Sequence, residues 1–158
     1  LRGRLGLTEE KAHLLSRLSR GRPGMAITLA SKDELLIKRN EVITSMCSMS
    51  NQSISERFKT ASYLANQFSR DRQSTLTTIG LWHSWWRDIL LTQSGAEEGV
   101  DNIDYEQSLR SEAECYSKTS VTTFLKAISI TVHQLNENVN PRLALEAMVL
   151  MAPTSVAS

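Results

Sequence analysis

Proline and glycine are scarce, with three and seven copies among 158 residues. Most of them fall between apolar-periodic segments, which is how an all-helical domain is punctuated. No run of alternating apolar and polar β-branched residues is long enough to argue for a sheet. Cysteine occurs only at Cys47 and Cys115, far apart and without Cys-x-x-Cys spacing. Reduced thiols in a cytoplasmic protein are therefore expected, rather than a disulfide or a metal site. His13, His83 and His133 are scattered, and none lies at ligand spacing from a cysteine or another histidine. No stretch approaches the roughly 18 apolar residues of a membrane span, and the start does not read as a signal peptide. The first residue is Leu rather than Met, so a fragment of a longer chain is expected.

Catalytic signatures are missing as well. There is no Gly-x-x-x-x-Gly-Lys-Ser/Thr phosphate loop, no Gly-x-Gly-x-x-Gly and no nucleophile elbow. Glu9-Glu10 and Glu97-Glu98 are adjacent carboxylates, read as solvated charge in a first turn and a loop. No catalytic, cofactor-binding or metal residue is assigned, and the chain is not expected to be an enzyme.

What is present is an ordinary globular composition, 41% hydrophobic and 22% charged, with unevenly placed charge. Residues 1–22 hold six basic residues against two acidic ones; residues 95–116 hold seven acidic against one basic. A basic start can face nucleic acid or an acidic partner, but solvated helix faces and a loop are the favoured reading of each segment.

The apolar spacing predicts six or seven helices. One begins after Thr8 and stops before Gly21; Pro23 restarts a short one over 24–30. Ser31 and Glu34 form a Ser-x-x-Glu capping pattern, repeated by Ser53 and Glu56. Ile54, Phe58, Ala61, Ala65 and Phe68 then mark one stripe. Leu76 to Leu90 form the next helix, 95–104 a loop, and 105–135 a long helical stretch weakened at Ser117 to Ser120. Near the end, Asn140 suits an N-cap and Pro141 a first helical position. Leu143, Ala144, Ala147, Met148, Leu150 and Met151 predict a final helix apolar over most of its surface and buried against partners.

Large aromatics concentrate in Trp82-His83-Ser84-Trp85-Trp86-Arg87-Asp88. Trp82 and Trp86 share a helical face, with Trp85 expected at the flank and partly exposed. Core packing is the plain reading; a contact surface between subunits is the sharper one, since Trp and Arg are enriched in binding hot spots. Trp82, Trp85, Trp86 and Arg87, together with Asn140, Pro141 and Arg142, are the candidate interface residues.

Three segments resemble one family in order and spacing. Ser19-Arg20-Gly21-Arg22-Pro23-Gly24-Met25-Ala26 is similar to the end of the lid in clamp-loader ATPases. Leu81 to Leu91, followed by Val100-Asp101-Asn102, resembles the Trp-x-Arg-Asp-x-Leu-Leu helix and loop of the collar domain. Asn138-Val139-Asn140-Pro141-Arg142-Leu143-Ala144-Leu145-Glu146 resembles the collar's terminal helix. The family is that of the bacterial DNA polymerase III clamp-loader subunits, and the similarity is best to the delta-prime type.

The resemblance implies an all-α helical bundle, with residues 1–30 as the end of a lid and 31–158 as a collar domain for oligomerisation. It implies a non-hydrolysing scaffold that binds gamma/tau and delta type subunits in the cytoplasm and meets DNA only through the complex. Gly24 stands where hydrolysing relatives place a nucleotide-sensing arginine, with Arg22 two positions earlier. Two alternatives stay open: the collar of a hydrolysing subunit, and a helical nucleic-acid-binding module using Arg2, Arg4, Arg17, Arg20 and Arg22. The second would bind with steep salt dependence.

Overall fold

The computed structural model describes residues 8–19, 22–137 and 139–155. Among the described residues, eight α-helices and three short 3-10 turns follow one another, with no strand. The all-α expectation holds.

Local chemistry accounts for most helix starts. At α1 (Glu9–Leu18) the Thr8 hydroxyl accepts from the Lys11 amide, with Glu9 and Glu10 in the first turn. Proline opens α2 (Pro23–Ser31). The capping box expected at Ser31 and Glu34 does not form. Helix α2 runs on through Ser31, whose hydroxyl donates back to the Ile27 carbonyl, so Lys32 becomes the N-cap of α3 (Asp33–Cys47). A 3-10 turn, Ser48–Asn51, leads to α4 (Ile54–Arg70), where the second capping box is complete. The Glu56 amide donates to Ser53 Oγ at 3.3 Å, and the Ser53 amide donates to Glu56 Oε2 at 2.7 Å.

Helix α5 (Arg72–Gln93) starts a turn earlier than its apolar pattern, because Asp71 accepts from the Ser74 amide at 2.9 Å. It ends at Gly95, whose φ of 70° is the left-handed conformation glycine supplies at helix ends. The expected loop carries the 3-10 turns Glu97–Gly99 and Ile103–Tyr105. The long helical stretch is two helices, α6 (Glu106–Cys115) and α7 (Lys118–Asn136). Tyr116 is extended between them and Ser117 caps α7 by accepting from the Ser120 amide. The weak Ser117–Ser120 segment is thus a helix start rather than a kink. Helix α8 (Pro141–Leu150) closes the fold.

Helix α5 lies at the centre, packed against α3, α4, α6 and α7, while α8 packs on α4 and α7. One continuous apolar cluster joins all six, from Ile43 and Met46 through Trp86, Phe124 and Ile128 to Leu145 and Val149. The stripe expected on α4 is rotated: Arg57, Ala61, Leu64 and Ala65 are buried, whereas Ile54 is exposed. Leu15 of α1 and Ala26 of α2 are buried but stand outside that cluster. Helix α1 packs against α2 and against the turn Ile103–Tyr105.

Candidate inter-subunit surface

The three tryptophans lie inside the bundle, and two expectations are corrected by that. Trp85 is 1% exposed rather than partly exposed, and Trp82, Trp85 and Trp86 present no contact surface. The reason is the central position of α5, covered on several sides at once, so an indole at the flank meets another neighbour instead of solvent. Trp86 packs edge-on against Phe124 of α7 at 5.4 Å and against Tyr116 at 5.1 Å; Trp85 packs against Tyr105 at 5.6 Å. Such aromatic pairs add stability beyond the area they bury. Burial also pushes the Tyr116 hydroxyl above its usual range.

Arg87 and Asp88 do structural chemistry. Asp88 is fully buried, yet its carboxylate is well supplied with donors. Oδ2 accepts from the Asp101 amide at 3.0 Å, the Asn102 amide at 2.8 Å and Asn102 Nδ2 at 2.7 Å. Oδ1 accepts from Arg87 at 2.7 Å, and Arg87 also pairs with Asp101 at 2.7 Å. Burial pulls the Arg87 guanidinium down, but Asp88 and Asp101 outweigh it and its pKa rises above the ordinary value. A buried carboxylate needs this many donors to offset its lost hydration. From the other side, Arg39 of α3 donates to both oxygens of Asp104 at 2.7 and 2.9 Å, and to Asn102 Oδ1. The acidic loop is thereby held against α3 and α5, and most of its apparent negative charge is paired internally.

Arg39 and Arg57 are not among the candidates that the sequence offers. The signal was present: Arg39 stands four residues before Ile43, and Arg57 four before Ala61, each a cation on an apolar stripe. Arg57 is buried and its guanidinium donates to the carbonyls of Ala152, at 2.9 Å, and Ser50, at 3.4 Å. These carbonyls lie just past α8 and within the turn Ser48–Asn51, where backbone acceptors are free of helix partners.

The Asn-Pro-Arg segment behaves as read. Asn140 Oδ1 accepts from the amides of Arg142 at 3.0 Å and Leu143 at 3.4 Å, Pro141 occupies the first helical position, and Arg142 pairs with Glu146 at 2.8 Å. Asn140 and Arg142 are exposed and Pro141 is half-buried. Helix α8 itself is not buried all round. Ala144, Leu145, Met148 and Val149 face α4 and α7, leaving Leu143 at 62% exposure, with Ala147, Leu150 and Met151 also on the outside. One short helix thus splits into a packed face and an open apolar face. Of the candidate interface residues, the structure brings Asn140, Pro141 and Arg142 together at the head of that open face; Arg87 is separated from them in the loop network.

Gly24 faces open space on the first turn of α2. Arg2, Arg4, Arg20, Gly21 and Asn138 lie outside the described residues. Among the described residues no cluster of three or more His, Cys, Asp or Glu could hold a metal, and no helix is long and apolar enough to cross a membrane. Cys47 and Cys115 are free thiols; burial pushes the Cys47 thiol up to about 11.

The family model described as DNA polymerase III, delta subunit, C terminal, matches residues 33–152, the span from the start of α3 to just past α8. No curated protein and no solved structure matches the chain.

Proposed function

The chain belongs to the family of C-terminal domains of the DNA polymerase III delta subunit, a clamp-loader family, and we propose that within it residues 31–158 form a non-catalytic assembly scaffold. The observation that carries this reading is the extent of the family match, which covers the bundle α3–α8 and begins at Asp33. That boundary also supports assigning the preceding helices to the end of a lid. The finer assignment is a delta-prime type subunit, supported by the resemblance of the Trp82–Leu91 helix and the Asn140-Pro141-Arg142 helix start to that type. Gly24 in place of a sensing arginine supports a member that does not hydrolyse ATP.

On this reading the partners are gamma/tau and delta type subunits in the cytoplasm, DNA is met only through the complex, and the chain is no enzyme. The contact face is the outer side of α8, where Asn140, Pro141 and Arg142 lead into Leu143, Ala147 and Leu150. An apolar strip rimmed by polar residues is the usual makeup of a contact patch.

The test is sedimentation velocity of the chain mixed with full-length gamma/tau and delta type subunits of its own organism. A discrete heavier complex is expected, weakened about tenfold or more by Leu143→Asp while circular dichroism stays unchanged. Absence of any complex would overturn the scaffold reading. Binding of the chain alone to primed DNA, falling steeply with salt, would replace it with the nucleic-acid module.

A further inference from the structure

The loop between α5 and α6 does more than connect them. On one side it is fixed by Asp88 and Arg87 of α5 and by Arg39 of α3, through the bonds described above. On its other side it receives α1: Arg17 Nη1 donates to the Glu98 carbonyl at 2.6 Å, and α1 packs on the turn Ile103–Tyr105. Leu15 of α1, fully buried, belongs to no part of the bundle's continuous core. Helix α2 adds its own packing against α3, and Lys11 pairs with Asp33 at 3.2 Å across largely exposed side chains. The second of these contacts is solvated and contributes little.

We infer that the loop 97–105 is a joint that seats the N-terminal helix pair on the bundle, with Asp88 as the positioning residue that fixes the seat from below. Asp88 makes no bond to α1. It holds the backbone amides of Asp101 and Asn102, Arg39 holds Asn102 and Asp104, and the loop so shaped offers α1 its Glu98 carbonyl and the Ile103–Tyr105 turn. A force or rotation applied to α1 therefore reaches α5, the central helix, through this loop as well as by way of α2 and α3. The inference concerns the chain's internal mechanics and does not depend on which partners the bundle meets.

Amide hydrogen exchange by mass spectrometry on the 158-residue chain tests it, comparing the native sequence with Arg17→Ala, Asp88→Asn and Asn102→Ala. Exchange over 9–18 should quicken about tenfold or more in all three, with 97–105 also quickened in the last two and α7 unchanged. Faster exchange in 97–105 with α1 unaltered, in Asp88→Asn or Asn102→Ala, would overturn the joint. If Asp88→Asn loses protection throughout α7, Asn102→Ala decides, since it removes only the Asn102 side-chain bonds to Asp88 and Arg39 and leaves the α5 carboxylate with Arg87 and the two loop amides. Arg17→Ala exchanging like the native chain in α1 would equally count against the inference.

Discussion

The bundle α3–α8 and the pair α1–α2 are both helical and capped by the same rules, yet they are held by different physics. In the bundle, one apolar cluster passes through every helix, and the buried charged groups of Arg39, Arg57 and Asp88 each hydrogen-bond to another element. Among the described residues of the pair, only Leu15, Ala26 and Ser19 are buried, while Met25 and Ile27 of α2 face outward. Helices that lack a shared core owe their order to a few contacts with what lies beneath them. The contrast shows why helix content alone says little about where stability resides.

The severest challenge to this contrast is Trp86→Ala, which removes the indole packed against Phe124 and Tyr116. It should cost about 3–5 kcal/mol in denaturant unfolding and unfold the bundle and the pair together. Asp88→Ala comes next. It leaves the loop amides without their acceptor and Arg87 with Asp101 as its remaining carboxylate partner, at a comparable or slightly smaller cost of about 3–4 kcal/mol, read from the same midpoint shift. Leu15→Ala should behave differently: α1 loses protection in hydrogen exchange, while the main unfolding midpoint barely moves, because Leu15 lies outside the common core. An equal loss of global stability there would show that the two regions unfold as one.

Smaller effects add detail inside the bundle. Ser53→Ala removes one half of the capping box and should cost about 1 kcal/mol. Its pH dependence follows from Glu56, whose carboxyl is held below its ordinary 4.5 by hydrogen bonds from the Ser53 side chain and backbone. A depressed carboxylate stabilises the fold fully above its unfolded value, and that contribution fades as pH falls through the lower folded value. Thermal unfolding of native chain and Ser53→Ala should therefore converge as the pH drops below about 4.5.

Much of this was legible in the sequence because it is local. Thr8, Ser53 and Asn140 announce helix starts through bonds made within three residues, and the structure keeps all three. Ser31 failed for a reason spacing cannot show: the preceding helix extended far enough to claim its hydroxyl. Periodicity places the tryptophans on the right helix but does not show the burial of Trp85 at its flank, since it gives the angle of a side chain and not the number of helices around it. Met148 and Leu143 are similar in a helical pattern, yet one is buried and the other exposed, because α4 and α7 cover a single side of α8. The Asp88 clamp was half visible. The Arg-Asp and Val-Asp-Asn segments stand out in the sequence, but only the fold brings partners 13 and 14 residues apart to one carboxylate.

Arg57 has a consequence for the order in which the chain can be built. Its bond to the Ala152 carbonyl joins residues 95 apart, and α8 supplies much of the wall against which α4 packs. As the polypeptide emerges from the ribosome, α4 and α5 are complete long before α8 exists. Over that interval α4 lacks the cover of α8, and Arg57 lacks one of its two carbonyl acceptors. Long-range closure of this kind is the slow step in folding and the window in which chaperones act.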